Sequence, residues 1–530
     1  MSLSKTTSSP DQVHEEHVSD EQLANIAGLD EHHMGPLQAI RRRPQAFCWA
    51  LVAVFASLLM SFENQAAGMV LSIPEFRKDF GYYYEGSYVL HTEWQSAFYG
   101  GPIASAILGT LSAGYLADKF GRKWTLISSL VITFAAVAME FVALTNGLFF
   151  GGKFLNGYVS GIILTVAVTY IGEVSPLALR GVLTCMTALM MTIGPLTAAI
   201  IVNFTGEYEN RWAYRAILCA QFGFAGISLP LTLFMPESPV YYLNIGKEDK
   251  ARKMVARLGY KGDHEIDPKI AQLKALLEEA RIQSEGTYLD CFRKPNIRRT
   301  IISVMPLAIQ ALSGVYFISA YGTYYIQLAG FSTAESFKLQ IAQHGCSMFG
   351  NIISWFLIDR VGRRPLTFWG TMSITIVLII CGSLATEGSA GSIKGAVAMI
   401  IIYNWFYNIS IGATAYTLLA EVSSSQLRAK TVSIGIALQY LIYLVWAFVI
   451  PYIFNPDQAN LGAKTSFIFG GLGVLSLIYL WFYQVETSGR TFEELDEMFK
   501  KGLSVREFKN YKTEQQRFGE EIEGKLDESK

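Results

Sequence analysis

LADKFGRKW (Leu116–Trp124) and LIDRVGRRP (Leu357–Pro365) place an acid, a glycine and a basic pair at the same spacing, 241 residues apart. Apolar stretches stand before and after both. The second copy makes the first informative, because a single short match of this kind arises by chance. Two further pairs follow in the same order. GEVSPLALRG (Gly172–Gly181) is echoed by AEVSSSQLRAK (Ala420–Lys430), with Glu173 and Arg180 spaced as Glu421 and Arg428 are. MPESPVYYL (Met235–Leu243) is echoed by QVETSGRTFEEL (Gln484–Leu495). From Glu173 to Glu421 is 248 residues and from Glu237 to Glu486 is 249. Three ordered pairs at nearly one offset predict a chain built from two parallel copies of one half.

The apolar stretches say what each half is made of. The chain has 530 residues, 51% hydrophobic and 16% charged, with a mean hydropathy of +0.29. A soluble protein carries about 25% charged residues. FCWALVAVFASLLMSF, WTLISSLVITFAAVAMEFVAL and FIFGGLGVLSLIYLWFY are apolar blocks rather than amphipathic periods. A helix needs about 20 such residues to cross a bilayer. Twelve blocks are legible, near 46–69, 94–117, 124–144, 148–171, 181–203, 212–235, 298–328, 337–358, 366–386, 396–419, 430–454 and 463–484. The predicted fold class is an all-α membrane protein with twelve transmembrane helices in two six-helix pseudo-repeats. Repeats of this kind hold a midplane site between the halves of secondary transporters.

The domain reading follows. Residues 1–45 form a polar, acidic, disordered tail, neither signal nor transit peptide. Residues 46–235 and 298–484 form the two bundles, 236–297 a helical linker, and 485–530 a C-terminal tail. Within the linker, PKIAQLKALLEEARIQ has helical period and mixed charge. If the spans alternate, the short loops holding Lys119, Arg122, Lys123, Arg180, Arg360, Arg363, Arg364, Arg428 and Lys430 share one side. The positive-inside rule makes that side cytosolic, and both termini join it. Asp118, Arg122, Glu173, Arg180 and Glu237, with Asp359, Arg363, Glu421, Arg428 and Glu486 in the other half, then form two cytosolic charge clusters. These could gate the inner face, or simply anchor it. Exposed ion pairs contribute about 0–1 kcal/mol each, so several are needed to bias a rocking equilibrium.

The net charge of −1 argues for no charged partner, and nothing points to nucleic acid. The six cysteines show no metal or redox spacing, and no phosphate loop is present. No cofactor or metal is expected. No nucleophile or acid pair suggests an enzyme.

DKFGRK, YIGEVSPLALRG, PESP, DRVGRRPL and ETSGRTFEELDEMF resemble the sugar-porter family of the major facilitator superfamily, from about residue 46 to 500. YTLLAEVSSSQLRAKT and PYIFNPDQANLGAKTSFIFGG look like its fungal α-glucoside (maltose-type) permease branch. The resemblance implies alternating access and, in fungal members, proton-coupled uptake at the plasma membrane. It also implies where the substrate site departs from the family. Ala188 stands where members place an amide. The family's Q-Q-L-S-G-x-N reads QALSGVY, keeping Gln310, Ser313 and Gly314 but placing Ala311 and Tyr316 for a Gln and an Asn. Ser347 stands where an Asn is common, and Tyr416 replaces the hexose-type Trp. Each unpaired buried polar group costs about 1–3 kcal/mol, so losing two amides points from a bare hexose towards a larger or less polar ligand. The remaining candidates are Gln310, Ser313, Tyr316, Tyr321, Asn351, Asn404 and Tyr416. Helix–helix packing is the alternative role for any one of them.

Charges at bilayer depth cost at least about 2.5–3.5 kcal/mol, so they are functional candidates by default. Glu63 and Lys153 stand where proton symporters of the family carry an Asp and an Arg, so the pair is expected to work as a charge couple for the proton. A static ion pair in a uniporter is the alternative. Glu140 is expected to snorkel towards the outer interface near Asn146, and His344 lies in the outer half of the eighth span. Asn203-Phe-Thr205 is a glycosylation sequon at the external end of the fifth. Together these readings predict a secondary transporter importing an α-glucoside, maltose-like sugar or hexose with protons, its partners being that small molecule, protons and the bilayer. Transport of a non-sugar metabolite, by export or uptake, and a non-transporting nutrient sensor are the alternatives.

Overall fold

The computed structural model describes residues 36–511 except 85–86, 284–286, 329, 388, 425–426, 456, 489, 491 and 510. The chain begins with a short helix, α1 (Pro36–Arg42), and then α2 (Pro44–Ser72) crosses the molecule. A helix therefore occupies part of the segment read from sequence as a disordered tail. Arg43 explains it. Its guanidinium donates to Gly259 O at 3.0 Å and to Glu265 at 2.9 Å, and lies 4.0 Å from the Tyr260 ring centroid. The turn before α2 is thereby fastened to the linker.

The N half continues with α3 (Pro74–Phe80), a hairpin of β1 (Tyr82–Tyr84) and β2 (Ser87–Val89), then α4 (Thr92–Phe120), α5 (Arg122–Val142), α6 (Asn146–Val174), α7 (Leu177–Thr205) and α8 (Trp212–Phe234). The linker forms α9 (Pro239–Asn244), α10 (Glu248–Arg257) and α11 (Asp263–Gln283). The C half comprises α12 (Lys294–Leu312), α13 (Val315–Leu328), α14 (Thr333–Val361), α15 (Arg363–Glu387), α16 (Ala390–Ile409), α17 (Ile411–Val422), α18 (Arg428–Phe454) and α19 (Ser466–Tyr483), followed by α20 (Phe492–Lys500). Counting α12 with α13 and α16 with α17 as single broken spans gives the twelve read from sequence. Prolines in the first turn start α2, α3, α9 and α12, where a missing N–H costs nothing. The Ser332–Glu335 capping box starts α14.

Both breaks were missed in the sequence. Gly314, at φ +89°, separates α12 from α13, a conformation for which glycine is the default residue. Ser410, at φ −109° and ψ −104°, separates α16 from α17. Among the described residues, ten spans are long and apolar enough to cross a membrane by composition. The other two, α4 and α14, are 29 residues each and carry more polar residues. Both meet the opposite half, α4 against α18 and α14 against α7. A face turned to protein need not be as apolar as one turned to lipid.

These two crossings are related by the repeat, and α13 against α2 adds a third. The core is distributed unevenly along them. One large cluster of buried side chains runs through both halves at the end carrying the hairpin, joining Met69, Val70 and Val202 to Phe317, Tyr321 and Phe454. At the opposite end, α1 and the linker helices α9–α11 pack on the N half, through Ala39, Val255, Tyr260 and Leu273, while Cys291 at the end of the linker meets Thr431 of the C half. There α20 packs on the C half alone, through Leu418, Leu495 and Met498. Polar bonds follow the same division. Tyr99 Oη donates to Ala320 O at 2.8 Å, Arg77 to Gln327 at 2.9 Å, Tyr82 Oη to Asp457 at 2.9 Å, and Asn455 to Thr92 Oγ1 at 3.5 Å, all across the halves on the hairpin face. The halves are joined at the hairpin face and separate at the linker face.

Candidate functional site

Glu63 on α2 and Lys153 on α6 meet at the centre of the N half, with Lys153 Nζ 2.7 Å from Glu63 Oε1. The pair is not alone. Glu140 Oε2, from α5, lies 2.9 Å from the same ammonium. Asn156, one turn along α6, donates to Glu140 Oε1 at 3.2 Å and to Gln221 Oε1 at 3.0 Å. Gln221, on α8, donates to Glu63 Oε2 at 2.5 Å. All five residues are at most 2% exposed. The outward-snorkelling position read for Glu140 is thus corrected. An ammonium inside the bundle is a far better partner for a carboxylate than a distant interface, because an unpaired buried charge costs several kcal/mol.

Small residues allow this convergence. A Cβ on Gly152 would meet Glu140 Cγ at 2.6 Å and Ala136 O at 3.0 Å. Gly157, Gly161 and Gly109 likewise bring α4 and α6 into backbone contact, the usual close packing of membrane helices at small residues. The electrostatic result is two carboxylates sharing one ammonium. With all three ionised the cluster carries −1, and it is neutral with one proton aboard.

A cavity of about 310 Å³ lies between the halves. Ser61, Glu63, Asn64, Gln65 and Ser160 form its N-half wall, and Tyr316, Ser319, Tyr416, Gln439, Tyr440 and Tyr443 its C-half wall. Glu63 therefore belongs both to the charge cluster and to the cavity. Tyr316 and Tyr443 stack with ring centroids 5.7 Å apart. Behind them Tyr416 Oη donates to Gln439 Oε1 at 2.9 Å, and Gln439 Nε2 donates to Gln310 Oε1 at 2.5 Å.

Of the residues singled out in the sequence for substrate, Tyr316 and Tyr416 line this cavity and Gln310 stands one hydrogen bond behind it. The other four do not line it in this conformation. Ser313 Oγ lies 3.0 Å from Tyr403 Oη, in the packed C half. Tyr321 stacks beside Tyr99, centroids 4.8 Å apart, towards the hairpin face. Asn404 donates to Ile400 O at 3.0 Å and contacts Ser347 at 3.5 Å. Asn351 is half-buried on α14. His344 is buried beside Gln340. Sequence reasoning missed Gln439, Tyr440 and Tyr443, although QYLIY (Gln439–Tyr443) puts three polar-tipped side chains on neighbouring faces of an apolar span. It missed Asn156 and Gln221 as partners of the charge pair for a different reason. A lone amide in a span carries no sign of what it meets.

The repeated loops that opened the sequence have a common geometry. Gly121 (φ +94°, ψ +161°) and Gly362 (φ +96°, ψ +159°) end α4 and α14, and Arg122 and Arg363 begin the next helices. Glu237 accepts from Arg122 N at 2.9 Å and Lys123 N at 3.2 Å. Glu486 accepts from Arg363 N at 3.0 Å and Arg364 N at 3.3 Å. Each carboxylate caps the N-terminus of a helix it does not belong to, where free N–H groups and the dipole favour an anion. Burial pushes the Glu237 carboxyl up, while the backbone N–H bonds from Ser238, Lys123 and Arg122 act the other way. Arg122 reaches Glu173 at 2.8 Å and Asp118 at 3.1 Å, and Arg363 reaches Glu421 at 3.0 Å. Every one of these bonds lies within one half. The side chains of Arg180 and Asp359 lie outside the described residues, and Arg428 opens α18.

Two broken spans, a cavity between six-helix halves and a buried charge cluster on its wall define a membrane transporter of the major facilitator fold. A family model described as sugar (and other) transporter matches residues 49–499, and the chain belongs to that family. The chain is 27% identical over 494 residues to the general alpha-glucoside permease of Saccharomyces cerevisiae, covering 92% of this chain and 80% of that one. It is 30% identical over 510 residues to the maltose permease MAL31 of the same yeast, covering 93% and 82%. Among solved structures, the partially occluded inward-open xylose transporter XylE from E. coli superposes with a TM-score of 0.69 at 19% identity, covering 84% of this chain and all of that one.

Proposed function

We propose that the protein imports a sugar together with a proton across the plasma membrane of a fungus by alternating access, an α-glucoside or other glycoside ahead of a bare hexose. The observation that carries the reading is the buried Glu63–Lys153–Glu140 cluster, one of whose carboxylates lies on the cavity wall. A site with net charge −1 in low dielectric is costly to close off from water, and one proton neutralises it. Substrate against Glu63 and proton on the cluster then favour the same occluded state, which is coupling. At a potential of about 100 mV each proton carried contributes about 2.3 kcal/mol, enough for some 50-fold accumulation.

We assign the linker face, with its Lys- and Arg-bearing loops, to the cytosol, together with both termini. On that assignment the halves, joined at the hairpin face, face inward. Glu237 and Glu486, with the Arg122–Glu173 and Arg363–Glu421 pairs, keep the inner end of each half rigid, so that the halves rock as bodies. The binding role is assigned to Tyr316, Tyr416 and Gln310 through Gln439. Ser313, Tyr321, Asn351 and Asn404 act as helix packing in this state. The named activities of the two yeast relatives support the substrate class. A non-sugar metabolite is the second reading, favoured by the five tyrosines around the cavity and by Ala188 and Ala311 in place of amides. A panel of labelled sugars offered to the reconstituted protein separates the two. Uptake of maltose or glucose with alkalinisation of the medium is expected, and no uptake of any sugar would transfer the assignment to the second reading.

A further inference from the structure

A second concentration of polar atoms lies outside the cavity, at the hairpin-face end of the C half. Gln340 and Gln343 on α14 are 1% and 0% exposed. Gln340 Oε1 and both amide atoms of Gln343 have no hydrogen-bond partner among the described residues. Gln340 Nε2 lies 3.2 Å from His344 Nε2, which leaves its oxygen free. The two amides face α13 at Gly322, where an added Cβ would stand 3.6 Å from Gln343 Oε1 and 3.9 Å from Gln340 Oε1. Three unpartnered atoms at about 1–3 kcal/mol each are a large cost for packing that leucine would supply without penalty. Their use lies in another conformation.

The helix that covers them is the one built to move. Gly314 uncouples α13 from α12. The polar ties of α13 run to the N half: Tyr99 Oη to Ala320 O, Gln65 Nε2 to Ser319 O at 3.4 Å, Ser319 Oγ to Gln65 Oε1 at 3.3 Å, and Arg77 to Gln327. Within the C half it rests on Phe454 through the rings of Phe317, Tyr321 and Tyr324, contacts that re-form at other angles more readily than hydrogen bonds do. When the halves part on the hairpin face, α13 is drawn away from α14 about Gly314, and the two amides meet water.

We propose that the gap between α13 and α14 is then a second polyol subsite. The Gln340 and Gln343 amides bind the far ring of a di- or trisaccharide while the near ring enters the cavity. Each primary amide offers a donor and an acceptor side by side, matching a pair of neighbouring sugar hydroxyls. The proposal rests on the sugar reading above and adds to it a preference for length. The test compares glucose, maltose and maltotriose uptake by the reconstituted wild type and by Gln340→Leu, Gln343→Leu and the double variant. The expected result is a KM for maltose and maltotriose raised at least tenfold in the double variant, with the glucose KM and all kcat values little changed. Equal changes for all three sugars, no change for any, or a wild type confined to glucose would overturn it. If the Leu variants do not fold, Gln340→Met and Gln343→Met take their place. A second readout needs no transport. In a background lacking the six native cysteines, Gln343→Cys is expected to react with a membrane-impermeant maleimide from outside, slowed by maltose and not by glucose. An unreactive thiol would overturn the proposal. A wild type that carries no sugar defeats the underlying reading instead, and this inference with it.

Discussion

The two halves share a scaffold and differ in what they bury. At the linker face they are near copies: a glycine at φ near +95°, an arginine starting the next helix, and a glutamate from a third element capping it. At the centre they diverge. The N half encloses Glu63, Glu140 and Lys153 with less than 3% of any residue exposed. The C half presents Tyr316, Tyr416, Gln439 and Tyr443 to the cavity and keeps neutral amides behind. On the function proposed above, a duplicated fold has divided two tasks: charge that answers to the proton on one side, and hydrogen-bonding and aromatic surface that answers to substrate on the other. Whatever fixes the helices to one another at the inner face stays the same in both.

Three changes sharpen that contrast, beginning with the largest effect. Lys153→Met leaves two carboxylates buried without a cation. Breaking a buried pair in this way costs about 3–5 kcal/mol, so a lowered Tm in detergent and no measurable uptake are expected, whereas Lys153→Arg retains folding. No loss of Tm of comparable size is expected from Gln439→Leu in the C half, where no charge is stranded. Next come Gly121→Ala and Gly362→Ala. Their φ and ψ lie in a region open essentially to glycine alone, costing about 1–3 kcal/mol for another residue, and the new Cβ would point into the Glu237 or Glu486 carboxylate. Thermal unfolding is expected to report similar losses from the two, since the geometry repeats. Unequal losses would show that the inner faces are not equivalent. Smallest is Tyr82→Phe, which removes the bond to Asp457 between the halves on the hairpin face. Burial and then that bond push the Tyr82 hydroxyl's pKa up from its ordinary value, so it donates at every physiological pH. Its loss is expected to shift the inward–outward equilibrium by about tenfold or less, read as faster labelling of outward-accessible cysteines.

The bundles were legible because twelve apolar blocks and three repeated motifs are properties of the chain itself. The boundaries of α2, α6 and α15 fall within a few residues of the blocks read for them. The breaks at Gly314 and Ser410 were not legible, since a glycine or serine inside a span is as common in an unbroken helix. The Glu63–Lys153 contact followed from charge in an apolar setting together with family resemblance. Glu140 was misjudged because its partner is brought from another helix by Gly152, whose effect only the packed structure displays. The role of the glutamate in PESP (Glu237) and in VETS (Glu486) was half visible. Its spacing marked it, but its partners are backbone N–H groups, which no side-chain pattern records.

The central claim is that one proton neutralises a cluster of two carboxylates and one ammonium. Sugar-induced current in proteoliposomes measures it most directly, for the wild type, Glu63→Gln and Glu140→Gln. One charge per sugar is expected in the wild type. Either substitution leaves a neutral Lys–carboxylate pair that needs no proton, so sugar exchange should persist without current. A current that survives in both variants, or a wild type that moves sugar with no charge at all, would contradict the account.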